Sequence, residues 1–250
     1  LFVPSGTQSN LLALLSHCQR GDEYISGQTA HTYRYEGGGA AVLGGIQPQP
    51  LEFESDGSLN LGRVAEFIKP LDNHFARTRL ICLENTQGGK VLPLDYQQKA
   101  SCFAREQRLS IHLDGARVYN AAVQQQVSLG RITTLYDSVS ICLSKGLGAP
   151  VGSVLCGSDE IINAARRWRK VVGGGMRQAG ILAAAGIFAL ENHVDRLAED
   201  HQNAQRLAEG LDQIEEVDVD RYQVQTNMVF VRVKESRQKD LSDCLKKQGI

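Results

Sequence analysis

The sequence lacks an excess of charge of either sign, and it has no long apolar run. Its 250 residues include 27 Lys and Arg against 28 Asp and Glu, for a formal net charge of -1. This balance argues against nucleic acid or a membrane surface as a partner, because both select proteins with a strongly charged face. The most apolar stretch, 180–190, is far shorter than the roughly 20 residues of a membrane-spanning helix. With 42% hydrophobic residues the chain is not disordered, and we expect a globular protein.

Cysteine spacing excludes two further classes of protein. None of the six cysteines forms a C-x-x-C pair, so neither a disulfide scaffold nor a zinc site is predicted. Several lie in apolar runs, and we expect them to be buried, reduced thiols: Cys18, Cys82, Cys102, Cys142, Cys156 and Cys244. No basic segment followed by a small-residue cleavage site is visible, which makes the cytoplasm the expected location. The sequence also contains no P-loop, no G-x-S-x-G and no metal-ligand spacing.

Short apolar runs alternate with helical patterns, which predicts an α/β fold: a mostly parallel mixed sheet with helices on both faces. The predicted strands are 41–43, 79–84, 109–113, 138–144, 152–156 and 228–233. The predicted helices start near Thr7 and cover 61–67, 95–107, 159–169 and about 178–211. After about Arg221 the pattern changes to a strand and an amphipathic helix. We therefore expect a large domain over 1–215 and the start of a smaller α+β domain, cut off at its end, over 216–250.

Two charged residues follow predicted strands. Asp114 ends the apolar segment RLSIHLD, and Lys145 follows VSICLS and precedes a glycine-rich turn. Ligands of open α/β sheets bind beyond the carboxyl ends of strands. Desolvation at such a place would lower the pKa of Lys145 and make its amine nucleophilic. A helix N-cap and a surface lysine are the simpler alternatives. Together the pair suggests a pyridoxal phosphate site, with Lys145 forming the Schiff base and Asp114 pairing with the pyridinium nitrogen.

A phosphate site and a ring-stacking group should accompany such a pair. The segment Ser5-Gly6-Thr7 precedes a helix, so its N–H groups and hydroxyls can bind an anion, although it also suits an ordinary N-cap. A second candidate is the triglycine loop that ends in Arg177, whose alternative is a flexible loop. His31 lies in a polar, aromatic segment without helical or strand periodicity, which makes it a candidate for the site.

Six segments in order carry a family resemblance: PSGTQSNLLALLSHC, AHTYRYEGGGAAVLG, IHLDGAR, ICLSKGLGAPVGS, RWRKVVGGGMRQAGILAAAGI and TNMVFVRV. With them the chain resembles, from Leu1 to Ile250, the low-specificity L-threonine aldolases, which are pyridoxal-phosphate enzymes of fold type I. The resemblance implies retro-aldol cleavage of L-threonine or L-allo-threonine to glycine and acetaldehyde. It also implies a homo-oligomer, typically a tetramer, with active sites shared between subunits.

The resemblance also implies roles for individual residues. Lys145 matches the Schiff-base lysine that substrate displaces, Asp114 the pyridinium partner, and His31 the imidazole stacked on the ring near the substrate hydroxyl. The other matches are to the phosphate (Gly6, Thr7, Arg177), to the cofactor 3-oxygen or the substrate carboxylate (Arg117), and to positions lining the site (His74, Tyr35, Lys170).

One position departs from the family pattern, and other functions stay open. The family often has E-N-T-H where this chain has E-N-T-Q, so Gln87 can donate a hydrogen bond but cannot take up a proton. Another fold-type-I lyase that catalyses β-elimination would share the cofactor residues. Family chains continue beyond both ends of this one, so a catalytically incomplete piece of the aldolase is a further alternative. A nicotinamide-binding protein fits poorly, since G-x-G-x-x-G is absent after the first strand.

Overall fold

A seven-stranded mixed sheet forms the centre of the computed structural model, which describes residues 1–249. The strands are β1 (Phe2–Val3), β2 (Asp22–Gly27), β3 (Gln47–Leu51), β4 (Arg77–Glu84), β5 (Ser110–Asp114), β6 (Ser138–Cys142) and β7 (Ser153–Gly157). Their order across the sheet is β1-β7-β6-β5-β4-β2-β3. Neighbours from β6 to β3 are parallel, whereas β7 is antiparallel to both β6 and β1. All strands except β7 therefore point the same way, and their carboxyl ends share one edge.

Helices connect these strands and cover the sheet. They are α1 (Gly6–His17), α2 (His31–Arg34), α3 (Leu61–Phe67), α4 (Leu94–Glu106), α5 (Val118–Gln125), α6 (Leu129–Thr133), α7 (Asp159–Val171), α8 (Gly180–Asn192), α9 (Leu197–Leu211) and α10 (Glu235–Lys247). None of those within residues 1–249 combines the length and the apolar character needed to cross a bilayer.

Alternation along the strands explains why both faces of the sheet are covered. In β4, Ile81 and Leu83 pack with α4 and α5 in one apolar cluster, whereas Leu80 and Cys82 pack with α1 in another. Successive side chains of a strand point to opposite faces, so an uninterrupted apolar run needs a helix on each side. The expected α/β fold, with its mostly parallel mixed sheet and helices on both faces, is confirmed.

Three predicted elements are wrong in part or in full. The run 41–43 is not a strand but belongs to a π-helical turn, Ala40–Gly44, because glycines flank it and Gly45 closes the turn in a left-handed conformation. The predicted single helix over 178–211 is broken between α8 and α9, where the ring of His193 contacts the carbonyl of Leu147 at 2.6 Å. Of the predicted strand 228–233, only β9 (Arg232–Val233) forms.

A separate two-stranded antiparallel sheet lies near the end of the chain and pairs β8 (Val217–Asp218) with β9. The domain boundary at 215/216 stays a prediction.

All six cysteines have free thiols, but only three of them are buried. Burial was therefore wrongly expected for the other three: Cys102, Cys156 and Cys244.

Candidate functional site

The predicted site residues follow the strands that end at the shared edge of the sheet. Asp114 is the last residue of β5, and Glu84 is the last residue of the neighbouring β4. Lys145 comes three residues after β6, on the other side of β5. His31 comes four residues after β2, which is the next strand beyond β4. Parallel pairing therefore places side chains from four separate segments at one edge.

The two candidate phosphate-binding segments also meet at this edge. Ser5, directly before α1, is the N-cap, and its hydroxyl accepts a hydrogen bond from the N–H of Gln8 at 3.2 Å. The N–H groups of Gly6 and Thr7 belong to the first turn, which has no partners within the helix. The triglycine loop after α7 packs against this turn so closely that a Cβ on Gly174 would lie 1.9 Å from the side-chain oxygen of Gln8.

Asp114 is buried and its carboxylate is held from two directions. Oδ1 accepts the backbone N–H of Ala116 at 3.1 Å, and Oδ2 accepts the side-chain amide of Asn10 at 2.8 Å. The next residue, Gly115, lets the chain after Asp114 lie close to β6, because a Cβ at position 115 would lie 2.9 Å from the carbonyl oxygen of Ser140. The Asp114 side chain is therefore fixed in one orientation.

Glu36 joins His31 to the same cluster. Its Oε1 contacts Nδ1 of His31 at 2.9 Å and accepts the amide of Asn10 at 2.7 Å. Ligand-type atoms of His31, Glu36 and Asp114 all lie within 4.8 Å of one another, and the Asn10 amide lies between the two carboxylates. This proximity could not be seen from spacing along the sequence.

The electrostatics of the pair follow from this geometry. Burial raises the pKa of Glu36 to about 7, although the hydrogen bonds with His31 and Asn10 oppose that rise. The hydrogen bond with Glu36 raises the pKa of His31, against burial, which lowers it. The imidazole and the carboxyl, whose Nδ1 and Oε1 atoms lie 2.9 Å apart, therefore titrate together rather than independently.

Glu84 adds a third carboxyl group at the edge. Its Oε2 accepts the backbone N–H of His31 at 2.8 Å, which positions the start of α2. Burial, followed by the charge of Asp114, raises the pKa of Glu84, whereas the nearby charge of Lys145 lowers it. Lys145 is thus close enough to act on this group electrostatically.

The burial expected for Lys145 is wrong. Its side chain is exposed rather than buried, because β6 ends at Cys142 and the chain bends away before residue 145. Its position after β6, beside Asp114 on β5, is what makes it a candidate.

The remaining candidates differ in their contacts. Arg117, half-buried at the start of α5, has an Nε atom that is buried without a hydrogen-bond partner among residues 1–249. The ring of Tyr35 lies 5.8 Å from that of His31. Lys170 and Arg177 are exposed at the end of α7 and in the loop that follows it. His74 is exposed in the loop before β4, where its ring contacts Asp72 at 2.6 Å rather than any residue of the cluster.

Sequence reasoning missed three groups that the structure brings into the site: Asn10, Glu36 and Glu84. Glu84 ends a strand, as Asp114 does, so its position was the available signal. Glu36 is five residues from His31, whereas Asn10 lies inside a helix and gives no signal in the sequence. Gln87, the departure from the family pattern, donates to Thr29 Oγ1 at 3.4 Å and so lies near the segment that carries His31.

Comparison with known proteins bears on the family to which the chain belongs. The model of the beta-eliminating lyase family matches residues 1–234. A low specificity L-threonine aldolase of Escherichia coli K12 is 56% identical over all 250 residues, which span 74% of that protein.

Two solved structures resemble the fold. A Listeria monocytogenes protein, provisionally described as an L-allo-threonine aldolase, is 26% identical with a TM-score of 0.77; the match covers 92% of this chain and 64% of that one. A threonine aldolase of Leishmania major has a TM-score of 0.81 at 21% identity, which bears on the fold alone, with 97% of this chain and 71% of that one covered. The sequence match, supported by the shared fold, shows that the chain belongs to the beta-eliminating lyase family and, within it, to the low-specificity L-threonine aldolases.

Proposed function

We propose that this protein cleaves L-threonine or L-allo-threonine to glycine and acetaldehyde with pyridoxal phosphate as its cofactor. The observation that carries the proposal is the placement of Asp114 at the end of one strand, and of Lys145 and His31 shortly after two others, where all three strands end at one sheet edge. The relatives described above, whose names include this activity, support it.

The residues present fit the cofactor. A buried carboxylate suits a protonated ring nitrogen, and Asp114 is held for such a role by Asn10 and Ala116. The buried Nε of Arg117 has no protein partner within residues 1–249, so it has a hydrogen bond to offer an acceptor on a ligand. The glycine at 174 lets the triglycine loop approach the first turn of α1, where N–H groups favour an anion.

Each of these residues would hold a different part of the cofactor. Lys145 would bind its aldehyde carbon, Asp114 would bind its ring nitrogen, and His31 would contact the pyridine ring. Gly6, Thr7 and Arg177 would bind the phosphate, while Arg117 would bind the 3-oxygen or the substrate carboxylate. Tyr35, Lys170 and His74 would line the substrate side, the last as a partner of the hydroxyl.

The cofactor and the residues of the chain would supply different parts of the cleavage reaction. When bound, pyridoxal phosphate accepts the electron pair left on Cα as the Cα–Cβ bond breaks. His31, directly or through a water, takes the proton from the β-hydroxyl, whose oxygen becomes the aldehyde oxygen of acetaldehyde. A proton then returns to Cα and gives glycine. Lys145 and Asp114 hold the reacting groups in place, and this orientation determines which bond at Cα breaks.

Glu36 determines whether His31 can act as a base. Its carboxyl oxygen lies 2.9 Å from Nδ1, so Nε2 is the ring nitrogen that would face the substrate. The same contact raises the pKa of His31, so the neutral, proton-accepting form is present above that pKa.

A homo-oligomer with shared active sites is part of the proposal. Helix α8 is apolar around most of its circumference, yet Ile181, Ile187 and Phe188 are all more than half exposed in the single chain. A helix that is apolar on all sides is normally buried, which favours a partner subunit on this face. The tetramer and the cytoplasmic location stay predictions.

Product analysis tests the proposed activity. We expect L-threonine and L-allo-threonine to give equal amounts of glycine and acetaldehyde, because bond cleavage occurs between Cα and Cβ. A β-substituted alanine serves as the control, since a β-eliminating enzyme would convert it to pyruvate and ammonia. Pyruvate from that substrate, with no glycine from either threonine isomer, would contradict the proposal.

Glu36→Gln is expected to change the pH profile of the reaction. The neutral amide replaces the carboxylate whose hydrogen bond and charge raise the pKa of His31, so the imidazole loses its proton at a lower pH. The acid limb of kcat/KM should therefore move to lower pH. Glu66→Gln, an exposed change on α3, is the control and should leave the profile in place. An acid limb at the wild-type pH in Glu36→Gln would show that this pair does not control it.

A further inference from the structure

A continuous line of hydrogen bonds runs from the far end of α1 to Asp114. Nε2 of His17 lies 2.7 Å from Oγ of Ser138, and Ser138 Oγ lies 2.8 Å from Nδ1 of His112. Nε2 of His112 lies 3.2 Å from Oδ1 of Asn10, whose amide reaches Asp114. The line joins residues of α1, β5 and β6 through the interior of the protein.

The two carboxyl groups at the end of this line determine which group donates and which accepts in each hydrogen bond. Asn10 faces two carboxyl oxygens, those of Asp114 and Glu36, so its NH2 group must point toward them and its Oδ1 toward His112. The amide oxygen of Asn10 can only accept a hydrogen bond, so the proton of His112 must be on Nε2. Nδ1 of His112 must then accept the hydroxyl proton of Ser138, whose oxygen is left to accept from His17.

His112 can donate to Asn10 and accept from Ser138 because its imidazole stays neutral. It is completely buried, and burial lowers its pKa to about 3. A neutral imidazole has one donor nitrogen and one acceptor nitrogen, and here both are used in a fixed sense. The strand pattern IHLD predicts only that this side chain faces away from Ile111 and Leu113.

We propose that Asn10 is a positioning residue for the cofactor and the base, with His112 and Ser138 holding its amide in the orientation that donates to both Asp114 and Glu36. The inference deepens the proposed function and rests on it, because Asp114 and His31 are the groups being positioned. A donor between the two carboxyl groups is needed because two buried carboxylates at this distance repel each other. The charge of Asp114 adds to the burial that raises the pKa of Glu36. One amide with two N–H groups stabilises both as acceptors.

A measurement on the wild-type protein without cofactor tests the arrangement directly. Nitrogen-15 NMR of the histidine side chains should find the proton of His112 on Nε2, and it should stay there across the neutral pH range. The side-chain N–H protons of Asn10 should exchange slowly with water, because both are bonded to buried carboxyl oxygens. A proton on Nδ1 of His112 would overturn the proposal, whatever the activity of the protein.

Asn10→Leu tests the consequence for the site. We expect kcat for threonine cleavage to fall about tenfold to a hundredfold, as hydrogen bonds to charged groups are lost. KM should change by less than about threefold, since the leucine touches no substrate. In the cofactor-free variant the pKa of His31 should fall, because Glu36 loses a donor that favours its charged form.

Gln97→Leu is the matched control. Gln97 is also a buried amide with two partners, the carbonyl of Leu92 and the hydroxyl of Tyr136, but it lies on α4 away from this line. It should lose stability without a change in the titration of His31. A folded Asn10→Leu protein with wild-type kcat and wild-type His31 titration would refute the inference. Because the NMR measurements need no cofactor, they stay decisive even if threonine proves not to be the substrate.

Discussion

Lys145→Ala is expected to abolish both the visible absorption of the bound cofactor and the cleavage of threonine. The amine that would bind the cofactor's aldehyde carbon is removed, and alanine has no nucleophile to replace it. Loss of such a group typically lowers kcat by roughly four orders of magnitude or more. Because Lys145 is exposed in the free chain, the change should cost little stability.

The measurement is an absorbance spectrum followed by borohydride reduction and peptide mapping. In the wild-type protein the reduced cofactor should be found on the peptide that contains Lys145. Lys99→Ala is the control, because Lys99 is an exposed residue of α4 whose amine pairs with Asp95, and both spectrum and turnover should survive. Retention of the absorption band and of turnover in Lys145→Ala would refute the assignment.

Asp114→Asn is expected to keep the cofactor but to lose most of the activity. The carboxylate would keep the ring nitrogen protonated by raising its pKa, and an amide of the same shape carries no charge to do so. A loss of one to three pKa units corresponds to a rate about 10 to 1000 times lower. Cofactor binding should persist, since Lys145 and the phosphate-binding segments are unchanged.

The substitution also has a structural cost that must be measured beside activity. Asp114 accepts from both Asn10 and Ala116, whereas an asparagine has one acceptor oxygen, so one donor loses its partner. We expect a cost of about 1 to 3 kcal/mol in the free energy of unfolding.

Asp137→Asn separates the two effects. The carboxylate of Asp137 accepts the backbone N–H of Ile111 at 2.8 Å, near the opposite end of β5, so it changes a comparable contact away from the site. The control should lose stability but keep its activity. If Asp114→Asn is as active as the wild-type protein, the role of Asp114 at the ring nitrogen is wrong.

The strands of the sheet were predicted from apolar runs, which can be recognised in the sequence without knowledge of the tertiary structure. Strands β4 to β7 and helices α3, α4 and α7 lie close to where the pattern placed them, because the strands are short apolar runs and the helices repeat apolar residues with a period near 3.6. Strands β1, β2 and β3 were not predicted. In β3 (QPQPL), two prolines and two glutamines conceal an edge strand. The apolar run 41–43 was misread because Val42 and Leu43 are exposed in this chain, not packed in its core.

What the sequence alone determined is the order of chemical groups after the strands. Asp114 at the end of β5 and Lys145 shortly after β6 follow from strand ends, and parallel strands bring their carboxyl ends to one edge. The tertiary structure alone decided how these groups are held. Asn10 is 104 residues from Asp114 and 102 from His112, so no local pattern could reveal their contact. Hydrogen bonds between buried groups depend on positions in space, and only the packing of α1 against the sheet creates them.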